Sequence, residues 1–245
     1  MDILQVITQE LGVQKWQVEA AVKLIDEGNT IPFISRYRKE ATGTLNDEQL
    51  RNLNERLTYL RNLEDKKNQV LSSIEDQGKL TEELKAQILA AQTLVVVEDL
   101  YRPYRPKRRT RAAIAKEKGL EPLANIIMLQ MTGKSIEEEA EAFVSEEKEV
   151  ASVADAIAGA KDIIAEHISD EADYRIHIRD LTAKKGTISS TAKDPEAQSV
   201  YEMYYEFEEP VKKLAGHRIL ALNRGEKEKF ITVKVNAPEE DILRY

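Results

Sequence analysis

The sequence predicts a mainly all-α fold: a multi-helical array with helix-turn-helix-like units and one small β element near the C-terminus. Three observations predict it. Amphipathic segments with apolar residues three and four positions apart follow one another along most of the chain, and many begin at a Ser, Thr or Asn that can cap a helix. Aromatic residues make up only 6% of the 245 residues, which argues against an all-β fold. Only residues 229–236 alternate apolar and polar side chains as a good strand does.

The first helices are short. The apolar spacing predicts helices over residues 2–11 and 15–27, and Thr30 caps a third helix. That third helix is expected to carry apolar side chains near one face and charged ones near the other: Phe33, Ile34 and Tyr37 against Arg36, Lys39 and Glu40. A helix, a tight turn and a second, basic helix resemble a helix-turn-helix unit. The alternative is an ordinary helical bundle with a basic, solvated face.

A long helix is predicted over residues 46–77. Asn46 followed by Gln49 is close to a capping box, and leucines recur at 3-4-3 spacing behind it. We expect this stripe to pack inside its own domain rather than form a coiled-coil dimer, because it covers few heptads and Lys67 interrupts it. Thr81 caps the return helix, and the apolar run at 94–97 is interpreted as buried helix.

The second half of the chain is also predicted to be helical. Helices are expected after Pro122, at the Ser135–Glu138 capping box, after Ser152 and after a cap at Ser169. The aromatic-rich residues 196–207 are predicted to form a helix, and the strand at 229–236 has no partner of equal quality. The predicted domains are an N-terminal helical domain over residues 1–120, with the helix-turn-helix-like unit and the long helix, and a helical central region over 121–245. The last residues resemble the start of a further helix, so the chain is interpreted as the N-terminal part of a longer protein.

Charge is distributed unevenly. Residues 101–118 contain eight basic side chains and one acidic one, a net charge of +7, so the rest of a chain that totals −8 carries −15. A concentrated block of positive charge says more about binding partners than the net charge of the whole chain does. The sequence contains no cysteine, which excludes disulfides and thiolate metal sites and agrees with a reducing cytoplasm. No apolar run approaches the roughly 20 residues of a membrane span, so no membrane partner is expected.

The basic stretch has its own local structure. Pro103 and Pro106 favour an extended entry, and Thr110 caps a helix that Gly119 ends. Lys107 and its neighbours therefore precede a helix N-terminus, where free N–H groups already favour anions. A phosphate backbone fits this chemistry, and so does a row of carboxylates from the same protein. The two alternatives predict different surroundings: solvent-exposed cations in the first case, and Asp or Glu within about 4 Å in the second.

No catalytic motif is present. The sequence has no glycine-rich phosphate loop, GxSxG or HExxH, and neither an enzymatic activity nor a cofactor is expected. A continuous helix would place His167, Asp170, Asp173 and His177 on one face, as a zinc site needs. The expected cap at Ser169 would break that helix, so no metal site is predicted.

Three blocks carry a resemblance. IPFISRYRKEATGTLNDEQL at 31–50, EDLYRPYRPKRRTRAAIAKEKGLEPLA at 98–124 and HRILALNRGEKE at 217–228 resemble the N-terminal half of the bacterial Tex family of transcription accessory proteins. The resemblance implies a multi-helical region that precedes a YqgF-type, ribonuclease-H-like domain, a helix-hairpin-helix module and an OB-fold RNA-binding domain. It also implies a cytoplasmic protein of transcription regulation that binds nucleic acid. Its expected partners are RNA or DNA, the transcription machinery and later domains of the same chain.

The sequence thus supports two hypotheses. The first is a non-enzymatic, nucleic-acid-associated scaffold, and the second is a protein–protein interaction scaffold whose basic segment is paired internally. In the first, phosphate contacts position the chain without reading sequence. The candidate nucleic-acid-binding residues are Arg36, Arg38, Lys39, Arg102, Arg105, Lys107, Arg108, Arg109 and Arg111.

Overall fold

The computed structural model describes residues 2–245 and confirms the predicted fold class: helices dominate, and one small antiparallel sheet lies near the C-terminus. The described residues form two units, which divide between Arg105 and Pro106. The first unit contains α1 (Ile3–Leu11), α2 (Lys15–Asp26), α3 (Ile31–Tyr37), α4 (Asp47–Asp76), α5 (Glu82–Ala90) and α6 (Leu94–Tyr101). The second contains α7 (Arg111–Glu117), α8 (Glu121–Leu129), α9 (Ile136–Glu141), α10 (Val153–Asp170), α11 (Ala172–Lys185), β1 (Thr187–Ala192), β2 (Glu206–Pro210), α12 (Gly216–Lys227), β3 (Ile231–Asn236) and α13 (Glu239–Arg244).

Local capping hydrogen bonds set several helix starts. Asn46 accepts a hydrogen bond from the Gln49 amide at 2.8 Å, and its own amide donates to the Gln49 side-chain oxygen at 3.0 Å. Ser135 and Glu138 form the same reciprocal pair at α9, and Thr110 caps α7. Each cap satisfies an amide that the first turn of a helix would leave without a partner. These predicted starts are confirmed.

Helix α4 organises the core of the first unit. It packs against α1, α2, α3, α5 and α6, and the apolar run that precedes the basic stretch is helix α6, as predicted. The stripe of α4 is buried at Leu50, Leu53, Leu57, Leu60 and Leu63, none of which exposes more than 2% of its surface. The expected packing of this stripe within its own unit is therefore confirmed.

Lys67, expected to interrupt the stripe, is instead buried within it and exposes only 1% of its surface. Its ammonium donates to the Leu89 carbonyl at 2.9 Å and lies 3.0 Å from the Glu64 carboxylate. A buried charge is tolerated only where hydrogen bonds and an opposite charge compensate for lost hydration. The partner on α5 is 22 residues away along the chain, so its position follows from packing.

Helix α10 has the same role in the second unit. It packs against α7, α8 and α9 over a core of small and branched residues, among them Ala112, Leu123, Ala156 and Ala160. At Gly159 an added Cβ would lie 2.4 Å from Leu120 Cδ1, so only glycine permits this close approach.

The sheet has the strand order β2-β1-β3, with both pairings antiparallel. The strand predicted at 229–236 is confirmed as β3, and its partner is β1, whose Ile188 lies opposite Val235. The helix predicted over 196–207 is wrong. The aromatic side chains there pack over the sheet, Phe207 pairs with Ser190 in β1, and the Ser190 hydroxyl donates to the Tyr204 carbonyl at 2.6 Å. Strand pairing therefore overrides the helical spacing of the aromatic residues.

Candidate nucleic-acid interface

The basic stretch is divided between the two units, so its candidate residues fall into separate groups. Arg102 and Arg105 belong to the first unit, where a 3₁₀ turn over Arg102–Tyr104 follows α6. The turn is held to α4, because Gln77 Nε2 donates to the Tyr104 carbonyl at 2.9 Å. Arg102 and Arg105 are both exposed, and Arg105 lies 3.8 Å from Glu98.

In the second unit, two of the cations face an acidic stripe on α10. The Lys107 ammonium hydrogen-bonds to Asp170 and lies 3.5 Å from Glu166. Arg111 lies 3.5 Å from Asp162. The three carboxylates are four residues apart, so they occupy one face of the helix. Spacing of this kind is visible in the sequence, but its pairing with the basic stretch depends on the packing of α7 against α10.

Arg108 and Arg109 precede the capped N-terminus of α7 and are both exposed. Arg109 forms an ion pair with Glu117 at 3.0 Å, in which 70% and 60% of the two side chains are exposed. Among residues 2–245, no carboxylate lies within about 4 Å of Arg108, the limit for an ion pair. The basic stretch is therefore neither wholly paired nor wholly free.

The third group lies at the end of α3. Arg36, Arg38 and Lys39 are exposed, and no carboxylate of the described chain lies within about 4 Å of their basic groups. Arg38 stacks over the Phe33 ring, with its guanidinium carbon 5.1 Å from the ring centroid. Tyr37 was expected near the apolar face, but 66% of it is exposed because α3 ends at this residue and only Ile34 is fully buried. Sequence reasoning thus missed Tyr37 as a surface residue.

The histidines do not form a site. Helix α10 continues through Ser169, so the cap predicted there is wrong, and the break falls at Glu171, whose extended backbone separates α10 from α11. His177 stacks on Tyr245 with ring centroids 3.6 Å apart. Within residues 2–245, no three His, Asp or Glu side chains are grouped as metal ligands.

None of the helices in the described part of the chain is both long and apolar enough to cross a bilayer.

Known protein families identify the class of protein to which the chain belongs. The chain matches two family models: the Tex-like protein N-terminal domain over residues 1–75, and the Tex central region-like model over residues 132–244. Relatives align over nearly all of the chain. It is 47% identical to the uncharacterized protein YdcI of Bacillus subtilis, with 98% of this chain and 34% of the relative covered.

Two further relatives carry informative names. The chain is 41% identical to the Transcriptional accessory protein Tex of Neisseria gonorrhoeae, with 98% of this chain and 32% of that protein covered. It is 29% identical to the human S1 RNA-binding domain-containing protein 1, with 96% of this chain and 24% of the relative covered. The chain belongs to the Tex family, and it spans about a third of the length of the first of these relatives.

Proposed function

We propose that the chain is a non-enzymatic, nucleic-acid-associated scaffold of a transcription accessory protein, working in the cytoplasm beside the transcription machinery. One observation carries the proposal: three cations at the end of α3, together with Arg108, are exposed and have no carboxylate partner within about 4 Å in the described chain. Free guanidinium and ammonium groups are the principal ligands for nucleic-acid phosphates.

The ion pairs of the remaining cations are compatible with this role. The side chain of Arg105 is 63% exposed in its pair, and that of Arg111 is 86% exposed. Exposed pairs contribute roughly 0.2–1 kcal/mol, so a phosphate can replace the carboxylate at little cost. Lys107 differs, because two carboxylates hold it and only 30% of its side chain is exposed. It is the candidate residue least suited to a phosphate contact.

The names of the relatives support the same function. One is named as a transcriptional accessory protein and another as a protein containing an S1 RNA-binding domain. The chain covers a minority of each relative's length, so these names support an association with nucleic acid rather than a particular substrate.

A second candidate function is a protein–protein interaction scaffold with an internally paired basic segment. The placement of Lys107 and Arg111 against Asp162, Glu166 and Asp170 favours it. On this hypothesis the cations orient α7 on α10 and leave nucleic acid unbound.

Binding of the 245-residue chain to labelled single- and double-stranded DNA and RNA, titrated across salt, tests the proposal. Each phosphate neutralised on a duplex contributes about −0.9 to the slope of log K against log salt. Contact with about three or four phosphates therefore predicts a slope of roughly −2.7 to −3.6. A slope near zero, or no binding at low salt, would exclude the nucleic-acid function and leave the second candidate.

A further inference from the structure

The end of α3 combines an exposed aromatic ring with unpaired cations. Tyr37 packs against Phe33 with ring centroids 5.3 Å apart, yet 66% of the residue is exposed. Arg38 covers part of Phe33, and Arg36 and Lys39 flank the tyrosine in sequence. We call these five residues the Tyr37 platform. Four of them, all but Phe33, border an open cleft of about 410 Å³, which Glu40 and Ala41 also line.

The positive charge of the platform is available to a ligand. Its three cations have no carboxylate partner within about 4 Å in the described part of the chain, unlike Lys107, Arg109 and Arg111. The C-terminus of α3 carries a partial negative charge, which disfavours an anionic ligand. This effect is small, because the helix has only seven residues and Arg38 Nη1 donates to the Tyr37 carbonyl at 3.2 Å. Three full charges outweigh the partial charge of so short a helix.

The loop after the platform is held in place by α2. Gln17 Nε2 donates to the Gly43 carbonyl at 2.9 Å, and Thr42 is fully buried. Gly43 has a φ of 62°, and a Cβ at this position would lie 2.4 Å from the Trp16 ring, so only glycine fits. An anchored loop loses little conformational entropy when a ligand binds, which favours a preformed site.

We propose that the Tyr37 platform binds an unpaired base of a single-stranded nucleic acid together with an adjoining phosphate. The inference rests on the proposed function and adds the place on the first unit, at the end of α3, where a base and its phosphate are held. Stacking needs an exposed base face, and the exposed Tyr37 ring provides the matching surface. Arg36 and Lys39 then meet the phosphate by charge complementarity. Duplex bases are stacked on one another, so the platform distinguishes single strands from duplexes.

The test measures binding of fluorescein-labelled U12, dT12 and a 12-base-pair DNA duplex by anisotropy. Tyr37→Ala should weaken binding to both single strands by about 5- to 150-fold, the range found for loss of one stacked base. Duplex affinity should change less than about twofold, because duplex binding uses phosphate contacts alone. Tyr37→Phe keeps the ring and should bind as the unaltered chain does. Tyr245→Ala is the matched control, since Tyr245 is 61% exposed and its neighbour Arg244 has Glu240 at 3.9 Å.

Two further measurements locate the site. Trp16 is the single tryptophan of the chain and adjoins the anchored loop, so saturating U12 should change its fluorescence. Arg36→Glu combined with Lys39→Glu should make the single-strand salt slope less negative by roughly 1.4, at about 0.7 per phosphate. This second variant keeps the proposal testable if Tyr37→Ala is poorly folded.

The outcomes separate the two proposals. If the unaltered chain binds single strands but Tyr37→Ala binds them equally well, the stacking site is refuted while the nucleic-acid function stands. If the unaltered chain binds none of the three probes at low salt, the nucleic-acid function itself is refuted. Equal losses on single strands and duplex for Tyr37→Ala would also refute the platform, because stacking cannot account for them.

Discussion

Charge reversal at Arg108 and Arg109 separates the two candidate functions. On the nucleic-acid hypothesis, each substitution to Glu replaces an attraction of about 1 kcal/mol, for charges 4 Å apart in water, by an equal repulsion. Two reversals amount to about 4 kcal/mol, which screening at physiological salt reduces to roughly 2–3 kcal/mol, or 30- to 150-fold in affinity. The duplex salt slope should become less negative by about 1.8.

The structure predicts little effect of this double variant on stability. Arg108 has no ion pair within the described residues, and the pair of Arg109 with Glu117 is 70% and 60% exposed. Loss of such a pair costs at most about 1 kcal/mol, or roughly 2–4 °C in Tm for a chain of this size. The two introduced glutamates lie just before the N-terminus of α7, where the helix dipole favours negative charge. They therefore offset part of that cost.

The assay is a binding titration with a thermal melt on the same samples. Lys212→Glu combined with Lys213→Glu is the matched control, since both side chains are exposed and the change in net charge is identical. We expect the control to bind almost normally. A fall in stability above about 2 kcal/mol with unchanged nucleic-acid affinity would refute the reasoning and favour internal pairing.

Three further predictions concern stability. Leu57→Ala should cost roughly 2–5 kcal/mol in denaturant unfolding, since Leu57 is 2% exposed in the core of the first unit. Lys67→Met should cost roughly 1–3 kcal/mol, because the Leu89 carbonyl loses its 2.9 Å donor; an unchanged midpoint would show that this hydrogen bond contributes nothing. The hydrogen bond from Arg61 lowers the pKa of Asp26, so the stabilisation is complete above the ordinary carboxylate pKa of about 3.9 and is lost as pH falls through the lowered value. Melts from pH 7 to 2 should therefore show a small acid-side loss of stability, below about 1 kcal/mol for this surface pair, that Asp26→Asn removes.

Local chemistry was enough to predict most of the fold. The starts of α4, α7 and α9 follow from capping between residues three positions apart, and such hydrogen bonds form wherever the local chain is helical. The buried leucine stripe of α4 follows from its spacing for the same reason. The candidate cations were also evident from the sequence, as a cluster of charge in an acidic chain.

Tertiary packing decided the rest. The aromatic residues near Tyr204 have helical spacing, but β1 needs an antiparallel partner for its backbone, and β2 provides it. Lys107 contacts Asp170, which lies 63 residues away along the chain, and Lys67 donates to the Leu89 carbonyl, which lies 22 residues away. None of these outcomes is contained in a local window of sequence. Each depends on which distant surface the folded chain brings near, and that determines whether a charge is paired, buried or free to bind.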